Sequence, residues 1–287
     1  MKKTKIALLL ILLLVPFLGA CSHNKNQLTI VGSTALQPLA EEAGYQYGIK
    51  HNVTINVQGG GTGTGLSQVS EKAVNIGNSD LFAQQKQGID SKKLLDYKVA
   101  VVGIAVITNS TSGVKNVTMD QLRNIFAGKI TNWKQVGGKD LPIVLIHRSK
   151  GSGTRFTFEQ DVMHGQPVAG GQEQDSNGSV QKIVAATPGA ISYLAFAYAN
   201  KKNLVKLEID GVKPTKANVT NNNWKIWSYE HMYLNKKANN QLAKKFINYI
   251  ESPKIQTSII EELGYISIHQ MKVSKDINGK VHQLKGE

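Results

Sequence analysis

Cysteine is almost absent: Cys21 is the only one in 287 residues. No intrachain disulfide can form, and neither a multi-cysteine zinc site nor an iron–sulfur cluster can be built. Acidic residues are scarce too, with 20 Asp and Glu against 34 Lys and Arg, which leaves a formal net charge of +14. A cationic field of that size favours an anionic partner: nucleic acid, an anionic surface or an anionic ligand. The basic residues are not gathered into one run, so a nucleic-acid tract is not expected, and low-complexity tracts and short repeats are missing. With 41% hydrophobic and 19% charged residues, the composition excludes disorder, collagen and coiled coil. The length suits one large domain or two of moderate size, either able to bury a sizeable core.

Long apolar runs are missing except at the N-terminus. Lys2, Lys3 and Lys5 precede an unbroken apolar stretch over residues 6–14, and Leu18-Gly19-Ala20 leads into Cys21. This is the layout of a secretory signal peptide over residues 1–20, and the stretch is short for a membrane span. Cys21 is then either an incidental thiol beside the cut or a lipidation site. Leu-Gly-Ala-Cys resembles the lipobox of bacterial lipoproteins, and the lone cysteine stands at the one position that processing needs, which favours lipidation. The polar residues 21–26 read as a tether. The expected location is the extracellular face of the cell membrane, with a lipid anchor on Cys21.

Short apolar strands alternate with amphipathic helices along the rest of the chain. Residues 28–31, 53–57 and 141–146 read as strands, and the near-continuous apolar run 99–108 as a fully buried one. Leu36, Leu39, Ala40, Ala43 and Tyr47 share a helical face, as do Leu242, Phe246, Ile247 and Ile250. Thr118 and Gln121 form a capping box ahead of Leu122, Ile125 and Phe126, with Gly128 as the stop. The alternation predicts an α/β protein built of βαβ units around a mainly parallel sheet. No single linker divides the chain, which suits two lobes joined by more than one crossing.

Three times a strand runs into a turn of small residues and then a helix: Gly32-Ser33-Thr34-Ala35, the stretch 59–65 (Gly-Gly-Gly-Thr-Gly-Thr-Gly), and Gly151-Ser152-Gly153-Thr154. A helix N-terminus offers free N–H groups and a partial positive charge, hydroxyls add donors, and glycine lets the backbone approach an anion. One such turn is an ordinary cap; three in a basic chain point to an oxyanion. Known phosphate motifs fail, because Gly60 and Gly65 have P-loop spacing but Leu66 stands where the lysine is needed. No dinucleotide fingerprint fits the run, and neither Ser67 nor Ser152 lies in a nucleophile elbow. The seven histidines show no close metal-ligand spacing, and His147 reads as a packed or capping residue. Arg148, at a strand end, is either a surface arginine or a guanidinium clamp for a tetrahedral anion. Asp80, taken alone, reads as a turn aspartate.

Taken together, these residues resemble the phosphate-binding lipoproteins (PstS family) of bacterial phosphate-specific ABC transporters, over nearly the whole mature chain. The markers are Gly32-Ser-Thr-Ala35, Gln58-Gly-Gly-Gly-Thr-Gly63, Gly77-Asn-Ser-Asp80, Ile125-Phe-Ala-Gly-Lys-Ile-Thr-Asn-Trp133, Arg148-Ser-Lys-Gly-Ser-Gly-Thr154 and Thr187-Pro-Gly-Ala-Ile-Ser-Tyr193. The resemblance implies a two-lobed periplasmic-binding-protein-like (type II) fold with a ligand cleft between the lobes. The implied lobes are residues 27–107 with 228–287, and residues 108–227, with hinge crossings at 99–108 and 227–234. The implied ligand is inorganic phosphate, held by Thr34, the Ala35 N–H, Thr62, Asp80, Arg148, Ser152, the Gly153 N–H and Thr154, with Ser33 as a further donor. Relatives often carry Ser in place of Thr62, which keeps the hydroxyl. Lys150 departs further, since an acidic residue there would restrain the arginine, and here another carboxylate or none must do so.

The resemblance also implies no cofactor and no catalysis, a monomer, and partners in the permease subunits of the transporter and, through them, its ATPase. A secreted phosphatase would need an activated nucleophile or a metal cluster, and the sequence shows neither. A binding protein for sulfate or molybdate is the other alternative. Asp80 speaks against it, because an acceptor-only carboxylate needs the proton that phosphate carries and sulfate lacks.

Overall fold

The computed structural model describes residues 26–284. The expected signal peptide, Cys21 and all of the tether except Asn26 lie outside the described residues. The chain begins with β1 (Gln27–Gly32), α1 (Gln37–His51), β2 (Thr54–Gly59), α2 (Thr62–Ser70) and β3 (Ile76–Ser79). Strand β1 pairs parallel with both β2 and β3. Helix α1 covers them with the face the spacing predicts, burying Leu39, Ala40, Ala43 and Tyr47.

Strand β4 (Leu94–Asn109) then carries the chain into a second unit of β5 (Asn116–Val117), α3 (Met119–Phe126), β6 (Val144–Arg148), α4 (Gly153–Phe158), β7 (Gln172–Gln174), α5 (Asn177–Ala186), β8 (Ala190–Ala195), β9 (Leu204–Lys206), β10 (Glu208–Ile209) and α6 (Lys216–Thr220). The return is through β11 (Trp227–Asn235) to α7 (Gln241–Ile250), α8 (Pro253–Gln256) and α9 (Ile259–Glu262), and the described chain ends in the hairpin β12 (Val273–Lys275) and β13 (Val281–Gln283). The capping box at Thr118 forms: Gln121 N–H donates to Thr118 Oγ1 at 3.1 Å, and Thr118 N–H to Gln121 Oε1 at 2.8 Å.

One sheet runs through both units in the order β2-β1-β3-β11-β4-β8-β6-β7, with β9 also on β4. Each flank is parallel, as the βαβ pattern predicts. The middle is not: β11 returns between β3 and β4 and runs antiparallel to both, and β4 in turn runs antiparallel to β8 and β9. Strand β4 changes partner part-way along: Leu94–Gly103 face β11, and Ile104–Thr108 face β8. Two cores flank that point. Leu28, Ile30, Leu39, Val99 and Phe246 belong to one, and Ile104, Val106, Phe126, Trp133 and Tyr193 to the other. The C-terminal hairpin bonds to segments that precede and follow β4. Lys275 Nζ lies 2.9 Å from Asp161 Oδ2 in a nearly buried ion pair, and Gln85 Nε2 donates to Ile277 O at 2.9 Å.

Candidate functional site

Strands β1, β2 and β6 end at the same cleft, and the turn after each one leads into a helix. Gly32 makes the first turn possible: its φ is +144°, and a Cβ there would stand 2.1 Å from Asn78 O. The second and third turns meet across the cleft, where Gly63 N–H donates to Gly151 O at 3.0 Å. Ser33, Thr34, Ala35, Thr62, Asp80, Arg148, Ser152, Gly153 and Thr154 are all buried here.

The bonds among them leave the site rich in donors. Thr34 Oγ1 accepts from Arg148 Nη2 at 3.1 Å and from the N–H and Nδ2 of Asn177 at 3.2 and 3.1 Å. A hydroxyl has one proton and two lone pairs, so the three donors share two acceptor positions and the Thr34 proton remains to be donated. Thr62 Oγ1 accepts the Asp80 N–H at 3.0 Å, and Ser152 Oγ caps α4 by accepting the Arg155 N–H at 3.2 Å. Both keep their hydroxyl protons for another acceptor. The N–H groups of Gly153 and Thr154 open α4 and have no intrahelical partner. Ser33 Oγ accepts the Ala35 N–H at 3.0 Å. The N–H expected to face the anion is therefore used locally in this arrangement, and Ser33 shapes the turn.

Arg148 is 1% exposed. Its Nη2 also donates to Asp175 O at 3.1 Å, whereas Nε and Nη1 have no partner among the described residues. Burial lowers the Arg148 pKa, an effect partly offset by the negative charge of Asp80. Among the described residues no carboxylate grips the guanidinium directly; a backbone carbonyl and a hydroxyl orient it, and Lys150 is exposed beside it. Asp80 accepts from Thr154 Oγ1 at 2.9 Å through Oδ2, and its buried Oδ1 has no partner. A guanidinium with two idle donors and a carboxylate with an idle acceptor thus share one buried cleft. The donor set suits the oxygens of a tetrahedral anion, and the lone acceptor suits a proton on that anion. Among the described residues no group of three His, Cys, Asp or Glu could hold a metal ion.

The chain matches the family model for the PBP superfamily domain over residues 20–254. It is 45% identical to the phosphate-binding protein PstS of Bacillus subtilis, an alignment covering 98% of this chain and 99% of that protein. The chain belongs to the phosphate-binding protein (PstS) family. A crystal structure of a phosphate ABC transporter substrate-binding protein from Clostridium perfringens, with bound phosphate, superposes with a TM-score of 0.79 at 30% identity, covering 85% of this chain and all (100%) of that one. An ABC-type phosphate transport receptor from Vibrio cholerae gives 0.66 at 26% identity, covering 83% and 99%.

Several supports of this PstS-family cleft escaped the sequence reading. Tyr198 OH donates to Thr34 O at 3.1 Å, and Tyr265 OH donates to Ala35 O, so two tyrosines from distant segments orient the first turn. Asn177 ties Thr34 to β8, its Oδ1 accepting the Ala195 N–H at 3.0 Å. A signal for Asn177 does exist: Ser176-Asn-Gly-Ser179 is a fourth run of small polar residues at a helix start, with Ser176 capping α5. The two tyrosines carry no such signal.

Proposed function

We propose that this protein captures inorganic phosphate outside the cell and delivers it to the permease of an ABC transporter, held at the membrane by lipid on Cys21. The family relationship supports this reading, and one observation carries it: idle donors on Arg148 and an idle acceptor on Asp80 lie in the same buried cleft. Thr34, Thr62, Ser152 and Thr154 with the Gly153 N–H complete the ligand set, and the phosphate bridges the lobes that residues 27–107 with 228–287, and 108–227, are expected to form. Binding energy then favours the closed arrangement. No bond is made or broken in this step; ATP hydrolysis belongs to the partner.

Calorimetry of the phosphate-stripped protein against phosphate, arsenate and sulfate tests the reading. Phosphate and arsenate, which carry protons near neutral pH, should bind, and sulfate should not; equal binding of sulfate overturns it. The anchor has its own test: Cys21→Ser should move the protein from the membrane fraction to the medium or leave it as precursor. A mutant still processed and membrane-held would overturn lipidation.

A further inference from the structure

Glu230 sits within β11, a strand whose nine residues are all buried, and is itself 0% exposed. Neither of its carboxyl oxygens has a hydrogen-bond partner of ordinary geometry among the described residues. A buried carboxylate without a cation or donors is costly, and the usual escape is to keep its proton. The register shows what it faces. Strand β11 pairs with β3 through His231 opposite Ser79 and Met232 opposite Asn78; continued one step past the end of β3 that register brings Asp80 beside Glu230, and the two carboxyls act on each other electrostatically. Side chains directly opposite on neighbouring strands lie on one face. On its other side Glu230 faces Ala100 of β4, which offers no charge. The remaining titratable groups around it are Tyr198 and Tyr265, both neutral phenols with raised pKa values, chiefly through burial. Burial first, and then the charge of Asp80, push Glu230 well above the ordinary carboxylate range.

Two adjacent carboxyls of this kind share one proton. Its place follows from the neighbours. Asp80 accepts from Thr154 and feels the charge of Arg148, so it is the better seat for the negative charge. Glu230 has neither, so the proton stays there. We infer that Glu230 is a positioning residue whose carboxylic O–H donates to Asp80, holding Asp80 as an acceptor towards the proton of the bound anion. Each carboxylate oxygen has two acceptor positions, so Asp80 Oδ1 can take this proton and still face the ligand. Without the Glu230 donor, Asp80 loses the contact that holds it as an acceptor, and discrimination against an unprotonated anion weakens. The residue thus acts on selectivity through Asp80 rather than by touching the ligand. This inference rests on the phosphate reading for its consequence, but not for the location of the proton.

Infrared spectroscopy of the full chain at neutral pH addresses the proton directly. A carboxylic-acid C=O band should be present in the wild type and missing in Glu230→Gln; no such band in the wild type, or its survival in the variant, overturns the assignment whatever anion the site prefers. Titration with phosphate and sulfate across acidic to neutral pH tests the consequence. Glu230→Met, which has no donor, should lower the phosphate-over-sulfate ratio at least tenfold. Glu230→Gln, whose amide still donates, should recover most of that loss. A Glu230→Met protein with the ratio of the wild type overturns the role; should that variant not fold, the infrared result decides. Wild-type protein that ignores phosphate would sink the phosphate reading and leave the proton assignment to the infrared band.

Discussion

Thr154 Oγ1 donates to Asp80 Oδ2 at 2.9 Å, a bond that joins the helix after β6 to the end of β3 across the cleft. It occupies one carboxylate oxygen, and the buried Oδ1 keeps an acceptor position for the ligand. Asp80→Asn should therefore alter selectivity more than affinity. The amide rotates to donate or accept, so phosphate binding survives while sulfate binding becomes measurable. Parallel titrations at fixed ionic strength read this out, since salt screens the general field but not a buried contact. An Asn variant that excludes sulfate as completely as the wild type would falsify the role of Asp80 as proton acceptor.

Arg148 behaves differently because its donors have no substitute in the cleft. Arg148→Ala removes charge-assisted bonds, each worth about 1.5–3 kcal/mol, and should weaken phosphate at least tenfold without favouring sulfate. Arg148→Lys should recover only part of the loss, because an ammonium cannot present the two-pronged donor geometry. The check is the ligand-induced rise in Tm, expected to shrink strongly in both variants. A full wild-type rise in Arg148→Ala would show that the guanidinium does not contact the anion.

Gly153 tests the closed geometry. A Cβ at this position would stand 2.5 Å from Thr62 Oγ1 and 2.8 Å from Asp80 Cβ, both on the opposite side of the cleft. Gly153→Ala should leave the separate lobes intact, since alanine suits the first turn of α4, yet keep them from meeting. Small-angle scattering of the wild type should show a smaller radius of gyration with saturating phosphate than without. The variant should show little contraction and at least tenfold weaker binding. Normal affinity in Gly153→Ala would mean that the contact around Thr62 and Asp80 is not needed for binding.

His147 sets one limit on stability in acid. It is buried, its Nε2 lies 3.0 Å from Ala169 O, and burial lowers its pKa. In the unfolded chain the same ring takes up a proton near pH 6.5. The unfolded state therefore binds more protons below that pH, and folding stability falls as the pH drops. His147→Gln removes this proton linkage. Denaturant titrations at about pH 7.5 and about pH 5.5 should show a smaller loss for the variant than for the wild type; equal losses would exclude His147 as a source of the acid sensitivity.

Much of the site was legible because its first contacts come from local turns. Strand, small residues and helix follow one another within a few positions around Thr34, Thr62 and Ser152, so short-range pattern carries the chemistry. Arg148 and Asp80 were visible as candidates, but their pairing in space is a property of the sheet order. Tyr198, Tyr265 and Glu230 depend on packing between segments far apart in the chain, and no local pattern marks a phenol that will reach the Ala35 carbonyl. The one anomaly available for Glu230 was a carboxylate inside an otherwise buried strand. The antiparallel centre of the sheet was missed for a related reason: residues 227–234 were read only as a hinge crossing, and no local pattern says between which strands such a segment inserts.

That late insertion of β11 has a consequence for how the chain is made. Tyr233 on β11 donates to Leu81 O, and its hydroxyl accepts the Ala83 N–H from a segment 150 residues earlier. Until β11 is synthesised, β3 and the first half of β4 each present an open edge, the usual template for wrong pairing. The core around Phe126, Trp133 and Tyr193 also takes Tyr229 of β11 and Ile266 and Val273 from the C-terminal segment, so it too is completed late. Assembly of the first lobe is thus governed by a contact of high sequence separation, which slows folding and prolongs exposure of its apolar strands. The strands made first therefore stay without their central partner until Trp227–Asn235 has been synthesised, which makes β11 the segment on which closure of the sheet waits.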